Sequence, residues 1–290
     1  LTDLYFPDFG LPTKPGYTNL IAIIVSFVYV FFILRQFNTY TLRTKIIIAF
    51  IIITIIPLIA LGYFNSSSST RALQTQSSIQ LSTLANVVAN SVDEFITVQL
   101  NAVLSDAKQS SLSAYLKLPP QSRSGSEEET NARIALLSLT RKDPVFIHSI
   151  AILNANGVNV LDTFEEHQGQ NESKFAYFTR PMQNGLPYAS NIIFRDNEEN
   201  IYFSSPIKAQ NGDTIGVLRV EYHATVMQSI IRSINPGSAG TLISLVDTNT
   251  YVRVAYTGSE RDELFKSYKN FTDVELVILQ AENRLPAGPK

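Results

Sequence analysis

The chain holds three histidines, His148, His167 and His223, and no cysteine. The histidines sit in separate segments, without a spacing such as His-x-x-x-His that sets two imidazoles over one metal. Glu165-Glu166-His167 groups three possible ligands, but a polar stretch of this kind reads as a solvated loop. No nucleophile elbow, phosphate-binding Gly-rich loop or zinc motif is present. Nothing therefore points to catalysis within the chain, to a metal or to a cofactor. What remains is recognition chemistry. Tyr177, Phe178, Tyr188 and Tyr202 are the kind of side chains that line a small-molecule pocket around a few polar anchors. Each is equally suited to a core or a surface. Ser204 lies in the same segment as Tyr202. Arg180 and Arg195 are candidate anchors, though either serves as well as a surface charge.

Composition narrows the class. The formal net charge of -2 gives no basis for nucleic-acid binding. Without cysteines there are no disulfides and no thiolate metal sites. Apolar residues are concentrated in two uncharged runs, Leu20 to Leu34 and Ile46 to Phe64. Each approaches the ~20 residues needed to cross a bilayer. Pro57 lies inside the second run, where a membrane helix tolerates it. Arg35, Arg43 and Lys45 lie between the runs, and positive charge marks the cytoplasmic side. The expected topology is an extracytoplasmic lead-in over 1–19, two spans over 20–64 with a cytoplasmic link at 35–45, and everything after Phe64 outside. The chain starts at Leu1 and stops at Lys290 in a Pro/Gly stretch, so a fragment is expected, with further membrane helices before Leu1.

From Asn65 to Leu118 there is neither Gly nor Pro. Leu73, Leu81, Leu84, Val88, Val92, Phe95, Val98 and Ala102 follow a helical spacing. The expected helix over 65–118 is about 80 Å long at ~1.5 Å per residue, and its single apolar stripe needs a partner. Pro119-Pro120 ends it. Gln121 to Glu129 reads as a polar loop and Asn131 to Thr140 as a short amphipathic helix. Strands follow: Ile150–Leu153 and Val158–Leu161 about an Asn-Gly turn, Asn200–Ile207, and Thr214–Tyr222 after a second Asn-Gly turn. Ala224–Ile234 is an amphipathic helix. Leu242–Val246 and Tyr251–Tyr256 repeat the first hairpin about 90 residues later, the size of one small lobe. Antiparallel hairpins with flanking helices make an α+β lobe. Two lobes are expected, 119–235 and a partial one over 236–290.

Four segments together resemble the double Cache (tandem PAS-like) sensor domains of bacterial transmembrane receptors. They are the long helix after a span, Ser149–Asp162 (SIAILNANGVNVLD), Ser204–Val220 (SSPIKAQNGDTIGVLRV), and the helix and hairpin after Tyr222. The resemblance covers about residues 65–290, with the last lobe truncated. It implies a membrane-anchored receptor that binds a small molecule in the distal lobe, about 145–222. It also implies a homodimer through the long helix and a cytoplasmic output, such as a histidine kinase, chemotaxis module or cyclase, outside this chain. Amino-acid-binding members carry an Arg-x-Trp-Tyr cluster and a later Asp. Here Phe175, Tyr177 and Phe178 fall at the cluster, and Glu221 at the acid. Without the Arg, the fork that grips an α-carboxylate is missing, so an ordinary amino acid is not the expected ligand. Between Val220 and Tyr222 on a strand, Glu221 is equally placed to face solvent. An extracytoplasmic protein-interaction module and a purely structural tethered domain are the alternatives.

Overall fold

The computed structural model describes residues 24, 25, 28, 31, 32, 35, 39–195, 198–234, 241–258 and 264–286. Most of the first apolar run, Leu20–Leu34, and all of the lead-in over 1–19 lie outside them. The chain divides into two units, 1–79 and 80–290. The first contains the start of helix α1 (Leu42–Asp106), which passes through Pro57 without ending. Among the described residues α1 is the one helix long and apolar enough to cross a membrane, and none of its apolar stretch is buried.

In the second unit the apolar stripe of α1 is divided in use. Val88 and Val103 are buried, and Leu84, Val92 and Phe95 pack against the core. Leu81 and Val98 remain exposed. The helix does not reach Leu118. It stops at Asp106, and helix α2 (Ser110–Lys117) follows after a short turn. No Gly or Pro forces the break. Ala107, Leu112, Tyr115 and Leu116 are all buried around it. Burying a leucine is worth about 1.5–3 kcal/mol, enough to offset the helical hydrogen bonds lost in one turn.

The acidic run expected to be loop is instead the first turn of helix α3 (Glu127–Thr140). Ser126 Oγ accepts from the Glu129 amide at 3.0 Å, and Glu129 accepts from the Gly125 amide at 2.7 Å. Three carboxylates at a helix N-terminus also suit its dipole.

The strands are β1 (Ile147–Asn154), β2 (Asn159–Asp162), β3 (Tyr188–Ala189), β4 (Ile193–Arg195), β5 (Glu198–Lys208) and β6 (Thr214–His223). Helix α4 (Ala176–Asn184) lies between β2 and β3. All pairings are antiparallel, in the order β2-β1-β6-β5-β3, with β4 also on β5. Both faces of this sheet are covered. On the inner face Ile150, Ile152, Leu161, Phe203, Leu218, Val220 and Tyr222 share a core with Phe95, Leu112 and Leu136. The Phe95 ring meets Phe203 and Tyr222 edge-on, each at 5.9 Å. On the outer face Ala151, Leu153, Tyr202 and Val217 pack with Tyr177 and Phe178 of α4.

Helix α5 (Val226–Ser233) leads to β7 (Ser244–Val246), β8 (Arg253–Tyr256) and helix α6 (Asp273–Ala281). In both hairpins, β1–β2 and β7–β8, the side chain that opens the turn accepts from backbone amides within it. Asn154 Oδ1 accepts from the amides of Asn156 and Val158, and Asp247 Oδ1 from those of Asn249 and Thr250. Thr272 and Glu275 form a capping box at α6, a Thr-x-x-Glu signal legible in the sequence but outside the expected elements. The fold class is α+β, as expected.

At Gly216 a Cβ would collide with the Leu153 carbonyl oxygen and lie 2.6 Å from Leu116 Cδ1. Gly216→Ala is expected to destabilise the second unit by about 1–3 kcal/mol. The measurement is a thermal melt of the full chain in detergent micelles. An unchanged midpoint would show that β6 and α2 are not held at this distance.

Candidate ligand-binding site

Strand β6 alternates inner Leu218, Val220 and Tyr222 with outer Val217, Arg219 and Glu221. Because α4 and the segment before it cover the outer face, these polar side chains are enclosed. Arg219 is 0% exposed and Glu221 1%. The register explains the meeting of distant residues. Ala151 on β1 stands opposite both Arg219 and Asp162, and Ser204 is opposite Arg219 on the other side. The Ala151 methyl leaves space for the arginine to reach across β1. Ser149 and Tyr202 both stand opposite Glu221.

The guanidinium of Arg219 faces three carboxylates. It lies 2.5 Å from Glu221, 2.6 Å from Asp162 and 3.2 Å from Glu172. It also donates to Ser149 Oγ at 3.1 Å. Glu221 accepts from Ser149 Oγ at 2.9 Å, Asn200 Nδ2 at 2.9 Å and the Tyr202 hydroxyl at 2.8 Å. Asp162 accepts from Asn159 Nδ2 at 2.7 Å and from the Phe164 amide at 2.9 Å. Arg195 approaches Glu172 at 3.7 Å and donates to the Gln170 carboxamide. His167, also buried, places Nδ1 3.7 Å from Glu221.

Burial alone would raise the Glu221 carboxyl. The Arg219 charge and the bonds from Tyr202 and Ser149 outweigh it and hold Glu221 at about 2. Burial would weaken the Arg219 guanidinium, but Glu172, Glu221 and Asp162 drive its pKa well above the ordinary arginine value. Burial, then the Glu221 charge, pushes the Tyr202 phenol up, so it is a donor at any physiological pH. Burial and Glu172 do the same to Tyr177.

An aromatic stack borders this network. Tyr177 lies between Phe175, at 5.0 Å and 10°, and Tyr202, at 4.5 Å and 23°. The Tyr177 hydroxyl is fully buried and has no hydrogen-bond partner. Asn159 Oδ1 and Asn200 Oδ1 are buried acceptors in the same condition.

Of the residues singled out by sequence, Tyr177, Tyr202 and Glu221 come together here. Phe178 is buried beside them and Tyr188 packs against them half-buried. Ser204 is fully buried and donates to the Tyr188 carbonyl at 3.4 Å. Arg180 is exposed on α4. The solvent-facing reading of Glu221 fails because both faces of the sheet are covered. The surface reading of Arg195 fails because it is drawn to Glu172. Arg219, Asp162, Glu172, Ser149, Asn159 and Asn200 were not anticipated. Of these, Arg219 alone carries a sequence signal, an Arg two residues before a Glu inside an otherwise apolar strand (VLRVEY), which puts both charges on one face.

Comparison with known proteins bears on the fold. The structure is similar to the sensor domain of the V. cholerae histidine kinase DctB, with a TM-score of 0.56 and 13% identity over 76% of this chain and 79% of that one. Weaker matches are the sensory domain of the Campylobacter jejuni chemoreceptor Tlp3 with isoleucine bound (TM-score 0.46, 16% identity, 68% and 76% covered) and the E. coli DcuS sensor domain (0.37, 15%, 47% and 97%). No family model matches the sequence, and no curated protein matches it significantly. The fold is that of the Cache-type sensor domains.

The network sets the response to acid. Glu221 falls from an ordinary value of 4.5 to about 2 on folding, so its contribution is present above pH 4.5 and lost as pH falls towards 2, on the order of 3 kcal/mol. Arg219→Met strands the carboxylates without their cation and is expected to cost about 3–5 kcal/mol at neutral pH. It also reverses the slope: the variant gains stability as pH falls and the buried acids take up protons. Denaturant melts at several pH values check both signs, and parallel slopes in the two proteins would contradict the assignment.

Proposed function

We propose that this chain is the sensing region of a membrane-anchored receptor and that the outer face of the β1–β6 sheet is its small-molecule site. The observation that carries the reading is the enclosed network around Arg219. Buried charges are costly, and replacing them with apolar residues of similar volume is often neutral or stabilising. A lobe needing only a core would not require three carboxylates and two guanidinium groups. Perturbed, desolvated charges in one place are a mark of function.

The same network narrows the ligand. Asp162, Glu172 and Glu221 outnumber Arg219 and Arg195 by one formal charge. A ligand with an ammonium or other cationic group balances that excess. The buried Tyr177 hydroxyl and the free acceptors of Asn159 and Asn200 are polar groups that such a ligand can satisfy.

The route outward runs through β6. Glu221 faces the network while its neighbour Tyr222 faces α1, where it meets Phe95 and donates to Gln99 at 3.0 Å. A shift of β6 on binding therefore bears directly on α1, the helix that continues into the apolar span. Leu73, Ile79, Leu81 and Val98 are exposed along α1, which favours a second copy of the chain packing there as a homodimer. In this reading α1 crosses the membrane and the sheet lies on the extracytoplasmic side. The two-span hairpin and the lobes 119–235 and 236–290 belong to the same proposal.

The test is a thermal-shift screen of the full chain in detergent micelles against amines, amino acids, organic acids, purines and sugars. A ligand at 100 times its dissociation constant adds about 2.7 kcal/mol. Organic amines are expected to give the shift. A folded protein unmoved by every class would favour a protein partner instead. Tyr177→Phe sharpens the point. Removing a buried, unpartnered hydroxyl is expected to leave the unliganded protein as stable, or more stable by about 1 kcal/mol, while weakening the active amine several-fold. Equal affinity would place the ligand elsewhere.

A further inference from the structure

The three histidines, dispersed in sequence, converge at one end of the sheet. His148 and His223 lie with ring centroids 4.9 Å apart, and His148 lies 6.1 Å from His167. Glu198 completes the group. Its Oε2 is 3.7 Å from His148 Nδ1 and 3.7 Å from His223 Nδ1. One ligand atom from each of His148, Glu198 and His223 lies within 4.8 Å of the other two.

We propose that His148, Glu198 and His223 form a binding site for a divalent transition metal, with zinc the best fit. Zinc takes imidazole nitrogen and carboxylate oxygen at about 2.0–2.2 Å in a tetrahedron, whose edges are then about 3.3–3.5 Å. The two 3.7 Å separations are within a few tenths of that edge, and a small rotation of the imidazoles closes the rest. Two imidazoles and one carboxylate form a donor set that favours zinc, cobalt or nickel over magnesium and calcium, which prefer all-oxygen ligands. A zinc ion with these neutral imidazoles and a single carboxylate carries a net positive charge, which suits a water or an anionic group in the fourth position. That position opens to solvent, since His148, His223 and Glu198 side chains are 18%, 34% and 46% exposed.

The backbone holds the three donors without help from a loop. His148 is the extra residue at the irregularity between Ile147 and Ser149 in the β1–β6 pairing. His223 stands opposite Asn200 on β5, and Glu198 begins that strand. The strand ends are tied by the His223 amide to the Phe146 carbonyl at 2.9 Å and the Ala224 amide to the Glu199 carbonyl at 2.7 Å. Phe164 covers His148 from one side at 4.9 Å between rings. A metal bound here clamps the ends of β1, β5 and β6, the strands that carry Ser149, Asn200, Tyr202 and Glu221. The site stands independently of the small-molecule reading.

The test uses the full chain in detergent micelles, stripped with a chelator and titrated with Co²⁺, then with Zn²⁺ in competition. The expected result is the visible absorption of four-coordinate cobalt at one equivalent per chain, displaced by zinc, with a zinc-dependent rise in melting temperature. His148→Ala and His223→Ala are each expected to weaken binding by about tenfold or more. Glu198→Gln, at a half-exposed position, keeps the shape of the side chain and tests the site should a histidine variant fail to fold. It is expected to lose the cobalt spectrum while melting, metal-free, like the parent. No saturable cobalt binding by the parent, or binding unchanged in Glu198→Gln, overturns the proposal.

Discussion

The charged network on the outer face of the sheet depends on the positive charge of Arg219. Asp162, Glu172 and Glu221 come from β2, the segment before α4, and β6, and all are buried. Without a cation between them, like charges at this separation in a poorly solvating interior repel strongly. With it, the arginine's fork donates in several directions at once, which a lysine's point charge does not match. The ion pairs therefore hold β2, the Asn171–Phe175 segment and β6 together. The position of α4, and with it the Phe175–Tyr177–Tyr202 stack, follows from that attachment.

The arrangement gives β6 two unlike environments one residue apart. Glu221 answers to charge, and Tyr222 answers to packing against Phe95 and a single hydrogen bond to Gln99. A sheet covered on both sides does this, because period-two alternation sends neighbours to opposite faces. A single strand thus separates the charged network from the contact with α1. A cavity of about 260 Å³ lies beside this contact, lined by Val98, Gln99, Val103 and Tyr222 among others.

How much of this was legible in the sequence follows from the range of each interaction. The hairpin at Asn154–Gly157, strands β5 and β6 and helix α5 rest on local signals: turn residues, period-two patterns and a helical stripe. They came out close to their observed bounds. The break at Asp106 did not, because it is caused by burial of Ala107 and Leu112 against strands far along the chain. The first turn of α3 was hidden by reading three glutamates as a charged loop, although Ser126 three residues before Glu129 is a capping signal. In the candidate site, Tyr177 and Glu221 were reachable from the resemblance to Cache-type domains, and Tyr202 from its aromatic type. Arg219 was marked only by its spacing from Glu221, and Asp162 and Glu172 by nothing, because their meeting with it depends on cross-strand register that no spacing in the sequence reveals.

The same reasoning separates the histidines from chance. Separations of 50 residues (148 to 198) and 25 residues (198 to 223) carry no metal signature, yet the register of β1, β6 and β5 places His148, His223 and Glu198 side by side. A bulge at His148 is what turns its ring towards the partner strands instead of leaving it in the regular alternation, and bulges re-aim side chains at functional places. His167 stands between the two clusters, 6.1 Å from His148 and 3.7 Å from Glu221. The strands that bring His148, Glu198 and His223 together are also those that carry Ser149, Asn200, Tyr202 and Glu221.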